Sequence, residues 1–67
     1  MDLGKKLKEL RLSYNLTQTD LAKVLNTTQR RISYMESGKV EPDLSTLVAL
    51  SNYFDVTTDY LIGIKDY

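Results

Sequence analysis

The stretch TTQRRISYME, residues 27–36, gathers hydrogen-bonding side chains in a pattern that a helix would sort by face. At about 100° per residue, Ile32 and Met35 fall on one side with Thr28 beside them, making a buried stripe. Arg30, Ser33, Tyr34 and Ser37 fall on the opposite side. Gln29 lies at the margin, in a first turn from which a side chain can project past the helix end. The outward set is one that can read base edges. Glutamine pairs bidentately with adenine, arginine with guanine, and an aromatic contact suits the thymine methyl. The alternative is an ordinary solvated helix face. Such a face usually pairs Glu and Lys at i, i+4, and no acid occupies positions 29–34.

A reading helix needs a support that fixes its angle, and the residues before it supply the signals of one. Thr17 opens TQTD, a capping-box-like start with Asp20 at the third helical position. Leu16 and Leu21 stand at hydrophobic-staple spacing around that cap. The short helix stops at Asn26, which tolerates the left-handed conformation of a tight turn. Ala22 is small where two crossing helices would touch. Helix, tight turn, helix is the geometry in which the second helix enters a major groove and the first crosses the backbone. Gln18 and Thr28 stand at the two helix N-termini, where an amide or hydroxyl backed by the helix dipole can meet a phosphate.

The rest of the chain is also helical in period. Asp2 can cap a first helix with the stripe Leu3, Leu7, Leu10 and Tyr14, ending near Asn15. The helix over 28–37 stops at Gly38, and KVEPD is the only loop of any length. Asp43 caps a fourth helix with Leu44, Leu47, Val48, Leu50 and Phe54 on a broad apolar face, and Asp55 ends it. Thr57 then caps a fifth, with Val56 and Leu61 as a second staple. No strand signal interrupts the series. Five helices joined by connections of two to four residues imply an all-α, compact five-helix bundle over residues 1–67, one domain.

Composition narrows the function. Sixty-seven residues sit near the lower size limit for folding alone. Cysteine and histidine are absent, which removes disulfides, the commonest metal ligand and the usual general base. Glycine-rich phosphate loops and metal-ligand spacings are missing as well, so neither an enzyme, a metal, a cofactor nor a small-molecule site is expected. MDLGKKLKEL lacks an apolar h-region, and the longest aliphatic run is LVAL, Leu47–Leu50. The expectation is a cytoplasmic protein without a membrane span. The formal net charge of zero hides a division. Residues 1–39 hold eight Lys/Arg against four acids, and residues 40–67 hold Lys65 against five. A basic first half suggests a polyanion-binding face, against the plainer reading of chance segregation on a solvated surface.

TQTDLAKVLNTTQRRISYMESGK resembles the helix-turn-helix of the lambda repressor-like (Cro/Xre-type) family of bacterial and phage regulators. The likeness continues through LSTLVALSNYFDVTTDYLIG, similar to the family's fourth and fifth helices. It implies a transcriptional regulator, most simply a repressor, that binds a double-stranded DNA operator of two half-sites as a homodimer. By the same resemblance Gln18 and Thr28 are backbone anchors. Gln29, Arg30, Ser33 and Tyr34 are reading positions, and Lys39 is a phosphate contact after the recognition helix. Asn26 and Asp55 stand where the family usually has glycine, and Glu41 where relatives often carry a base.

Two further features can be read from the residues. Arg11 borders the Leu3/Leu7/Leu10 stripe and Glu36 borders Ile32, so both charges sit at the edge of the core. Unpaired charges there are costly, and a mutual ion pair fixing the first helix on the third is expected, against separate snorkelling. YLIGIKDY places Tyr60, Leu61, Ile62, Ile64 and Tyr67 in eight residues. These either close the core, form a dimer patch from Tyr60, Ile62, Ile64 and Tyr67, or once faced an attached effector domain. The rival function is a protein-interaction module of the same fold, antitoxin-like or antirepressor-like, with only weak DNA binding.

Overall fold

The computed structural model describes residues 3–64. Its five helices are α1 (Leu3–Ser13), α2 (Gln18–Val24), α3 (Gln29–Ser37), α4 (Leu44–Phe54) and α5 (Thr58–Ile62), with no strand among the described residues. Asp2 and Tyr67 lie outside that range.

Local chemistry sets the helix ends. Thr17 and Asp20 form a reciprocal capping box: the Asp20 N–H donates to the Thr17 hydroxyl at 3.0 Å, and the Thr17 N–H donates to the Asp20 carboxylate at 2.9 Å. Thr28, Asp43 and Thr57 accept the corresponding N–H groups of Arg31, Thr46 and Tyr60. Asn15, Asn26 and Asp55 take the left-handed conformation, with φ of 58°, 55° and 55°, and end α1, α2 and α4. Gly38 does the same after α3, at φ 84°.

Leu7, Leu21, Ile32, Met35, Leu50 and Leu61 are fully buried, one or two from each helix, so a single core fills the bundle. α1 lies against α3 at very short range. A Cβ placed on Gly4 would stand 2.4 Å from the Glu36 carbonyl oxygen and 2.6 Å from that of Met35, so the crossing requires glycine. The far end of α1 is tied to α4, where the Tyr14 hydroxyl donates to the Phe54 carbonyl at 3.1 Å and the two rings meet edge-on. Lys6 reaches α5, donating to the Tyr60 carbonyl at 3.1 Å with its ammonium over the Tyr60 ring.

Several positions expected in apolar stripes are placed elsewhere. Tyr14 lies beyond the end of α1 and is 46% exposed, because the chain turns at Asn15, while Arg11 takes a buried place on that face. Thr28 is an exposed cap just outside α3, its hydroxyl oxygen accepting the Arg31 N–H at the helix end. Of the expected α4 face, Leu47, Leu50 and Phe54 pack inward; Leu44 and Val48 remain 75% and 46% exposed, since no element among the described residues covers the second half of a broad face.

The caps make the fold acid-sensitive. Asp20 is held below the usual aspartate range by its hydrogen bonds with Thr17, backbone first. Asp43 is held down by Thr46, side chain first and then backbone, with the Arg31 charge adding to the effect. A carboxylate whose native pKa is depressed contributes stability above its unfolded pKa and loses it as pH falls through the native value. Urea midpoints are therefore expected to hold steady near neutrality and to decline below about pH 4. Asp20→Asn and Asp43→Asn should each flatten that acid limb; an unchanged limb in both would contradict the capping account.

Candidate nucleic-acid interface

α2 and α3 meet through a four-residue turn. The Thr27 N–H donates to the Ala22 carbonyl at 2.9 Å and the Leu25 N–H to that of Leu21 at 3.0 Å, so the turn is bonded to the end of α2. Ala22 is buried, and its small side chain allows the close crossing. Ile32 and Met35 anchor α3 on the core, leaving the other side of that helix to present its polar residues.

The placement of those residues is uneven. Gln29 and Arg30 are exposed, whereas Ser33 and Tyr34 are half-buried on the same face. Lys39 is exposed, and its backbone N–H donates to the Tyr34 carbonyl at 2.9 Å. With left-handed Gly38, this is a Schellman-type ending that turns the chain back over the last turn of α3. The Thr28 oxygen accepts from Arg31, which leaves the hydroxyl proton available to an incoming acceptor. Arg31 is half-buried, and its charge helps to hold the Asp43 carboxyl below the usual aspartate range.

Arg11 and Glu36 meet beneath this face. Arg11 Nε donates to Glu36 Oε2 at 2.6 Å, Nη2 donates to Oε1 at 3.1 Å, and Nη1 donates to the Leu16 carbonyl at 2.8 Å. Their side chains are 8% and 5% exposed. The hydrogen bond to Glu36 raises the Arg11 pKa further, against the opposing effect of burial, so the guanidinium stays charged. The fork uses two carboxylate oxygens and a carbonyl, which accounts for a buried charge without an unsatisfied group.

The Glu36 carboxylate also carries the network outward. Gln18 Nε2 donates to Glu36 Oε1 at 3.1 Å, and Gln18 Oε1 accepts from Gln29 Nε2 at 2.5 Å. Four side chains on three helices thus form one chain of hydrogen bonds from the buried guanidinium to the exposed amide of Gln29. This fixes the amide orientations. Gln18 retains one N–H, and Gln29 presents its carbonyl and one N–H, the acceptor–donor pair that adenine matches. Sequence reasoning paired Arg11 with Glu36 but gave Gln18 and Gln29 separate roles and missed their connection to that pair. Gln29 and Glu36 lie seven residues apart on one strip of α3, but Gln18 belongs to α2, so only the crossing of α2 on α3 brings the three together.

Tyr60 and Ile62 of the tail are half-buried and Ile64 is 67% exposed; Tyr67 lies outside the described residues. No group of acidic, histidine or cysteine side chains suited to a metal occurs among the described residues, and no helix is long and apolar enough to cross a membrane.

Comparison with known proteins agrees with this geometry. The sequence model of the helix-turn-helix family matches residues 7–61. The HTH-type transcriptional regulator ImmR of Bacillus subtilis is 44% identical over 63 residues, spanning 94% of this chain and 50% of ImmR. The HTH-type transcriptional activator BcrR of Enterococcus faecalis is 42% identical over 63 residues, 94% of this chain and 31% of BcrR. The chain therefore spans half or less of the length of these two relatives. Among solved structures, the P22 c2 repressor in complex with a synthetic operator superimposes with a TM-score of 0.84 at 28% identity, covering 91% of this chain and 92% of that one. With its α2–turn–α3 unit and buried Ile32/Met35 support, the chain belongs to the helix-turn-helix family, among the lambda repressor-like, Cro/Xre-type transcriptional regulators.

Proposed function

We propose that the chain, acting in the cytoplasm as a single DNA-binding domain, recognises a two-half-site operator as a homodimer and represses transcription by occluding a promoter. The observation that carries this reading is the face of α3: Gln29 and Arg30 are exposed on a helix locked to the core through Ile32 and Met35. In the major groove Gln29, Arg30, Ser33 and Tyr34 meet base edges, while Gln18, Thr28 and Lys39 meet the backbone. Similarity to a repressor bound to its operator supports the repressor form of the reading. The dimer surface is assigned to Tyr60, Ile62, Ile64 and Tyr67, supported by the exposure of Ile64 at the end of α5. Nothing in this mechanism calls for catalysis, a metal or a cofactor.

Selection of bound duplexes from a random DNA pool tests the reading, with the half-site spacing taken from the winners. Arg30→Ala should cost about 1–3 kcal/mol on the selected duplex and relax preference at one base pair in each half-site. Lys39→Ala should weaken all duplexes about equally and lower the salt slope by about one per subunit. A pool that yields no preferred sequence would overturn sequence-specific recognition. If Arg30→Ala weakens every duplex alike, Arg30 is a phosphate contact and base reading passes to Gln29.

A second reading is favoured by the exposed pair Leu44 and Val48, one turn apart on α4. In that reading the same fold serves as a protein-interaction module, through a face that the bundle leaves apolar. Weak DNA binding beside tight binding to a protein would favour it.

A further inference from the structure

The side chains assigned to base reading and to phosphate contact share an unassigned connection. Arg30 precedes Tyr34 by four residues, which places both on one strip of α3. The Arg30 guanidinium carbon lies 5.8 Å from the centre of the Tyr34 ring. Lys39 reaches the same ring by another route. Left-handed Gly38 turns the chain, the Lys39 N–H binds the Tyr34 carbonyl, and the ammonium comes to rest 5.1 Å from the ring centre. Two cations thus gather on one aromatic ring, both within the range of cation–π attraction. Tyr34 is itself half-buried and rooted in a helix fixed to the core. Arginine and lysine otherwise carry much rotamer freedom, which is lost when they bind.

We propose that Tyr34 is the positioning residue of this interface: its ring holds Arg30 and Lys39 in a set relation before DNA arrives, so that the base-reading and phosphate-contacting cations act as a coupled pair. The part that concerns DNA rests on the function proposed above. Tyr34 then contributes through its ring and not through its hydroxyl. Removing the ring is expected to affect two residues that are nine positions apart in the chain.

Tyr34→Phe and Tyr34→Leu separate the possibilities, because the first keeps the ring and the second keeps only apolar bulk. In the free protein, ring currents should shift the Arg30 δ and Lys39 ε protons upfield. The shifts should survive in Tyr34→Phe and vanish in Tyr34→Leu. On a duplex recovered from a random pool, Tyr34→Phe, which keeps the ring, is the reference for affinity. Tyr34→Leu should bind about tenfold more weakly, the size of two exposed cation–π contacts together. Arg30→Ala and Lys39→Ala should be non-additive in the wild-type background and additive in the Tyr34→Leu background. A retained helical spectrum and cooperative melt in each variant show that folding is not the cause.

Unshifted side-chain protons in the wild type would overturn the proposal while leaving the DNA reading intact. So would a Tyr34→Phe variant that loses preference as severely as Tyr34→Leu, because the hydroxyl would then be a direct reader. Additive effects of Arg30→Ala and Lys39→Ala in the wild type would remove the coupling. If the wild type prefers no duplex while the ring-current shifts are present, the proposed function fails and takes the coupled recognition with it, leaving only the free-state geometry.

Discussion

Glu36→Ala and Arg11→Ala are each expected to cost about 3–5 kcal/mol of folding stability, because each leaves the other charge buried without its partner. The side chains are 8% and 5% exposed and their contact is a charge-assisted fork, so solvent does little to replace what is lost. At roughly 0.05–0.15 kcal/mol per residue, a chain of this size has a total stability of the same order. Either variant should therefore be substantially unfolded at 25 °C in dilute buffer, and urea titrations begun in a stabilising osmolyte would measure the shortfall. Replacing both partners with apolar residues of similar volume, as in Arg11→Met with Glu36→Leu, should recover most of the loss. Recovery would not extend to the interface. Gln18 would lose its acceptor on Glu36, and the orientation of Gln29 would lose its support. A urea midpoint that barely moves in both single variants would mean that the pair is not buried.

Gly4→Val is expected to destabilise by roughly 3 kcal/mol, at the upper end of ordinary overpacking costs. Propensity alone points the other way, since glycine in a helix interior is worse than most residues by up to about 1 kcal/mol. Packing decides the sign. The new Cβ would meet the Glu36 and Met35 carbonyl oxygens at 2.4 and 2.6 Å, and these are main-chain atoms that cannot rotate aside. Relief requires α1 to move away from α3, which would also stretch the Arg11–Glu36 fork between the same two helices. For a domain of this size each kcal/mol corresponds to about 4–8 °C in Tm, so thermal melts followed by circular dichroism should resolve the change readily. A rise in Tm would show that α1 does not cross α3 so closely.

These two sites mark where the sequence was legible and where it was not. The helix ends could be read because capping is local: Thr17 with Asp20, and Asp43 and Thr57, each satisfy groups within three residues. Asn26 and Asp55 were legible as left-handed turns for the same reason. Arg11 and Glu36 could be brought together because each borders a stripe that must face the core. Periodicity does not reveal how much of an apolar face a small bundle can cover, so Leu44 and Val48 read as core and stand in solvent. The close approach at Gly4 left no mark beyond one glycine in a helical pattern. The Arg30–Tyr34 spacing was visible, but the return of Lys39 to the same ring depends on a turn through Gly38 that spacing alone does not describe.

The left-handed residues Asn15, Asn26 and Asp55 bear on how the chain can change over time. An ordinary side chain held there costs roughly 1–2 kcal/mol, but asparagine and aspartate visit that region more readily than other residues with a Cβ. Glycine would remove the strain, yet it would also give the unfolded chain extra freedom worth about 0.4–1 kcal/mol. The two effects are of similar size and opposite sign. Exchange between glycine and asparagine or aspartate at these turns is thus close to neutral, whereas a β-branched residue is excluded. Asn26 and Asp55 are positions at which a lineage can drift while the helix that follows each keeps its angle.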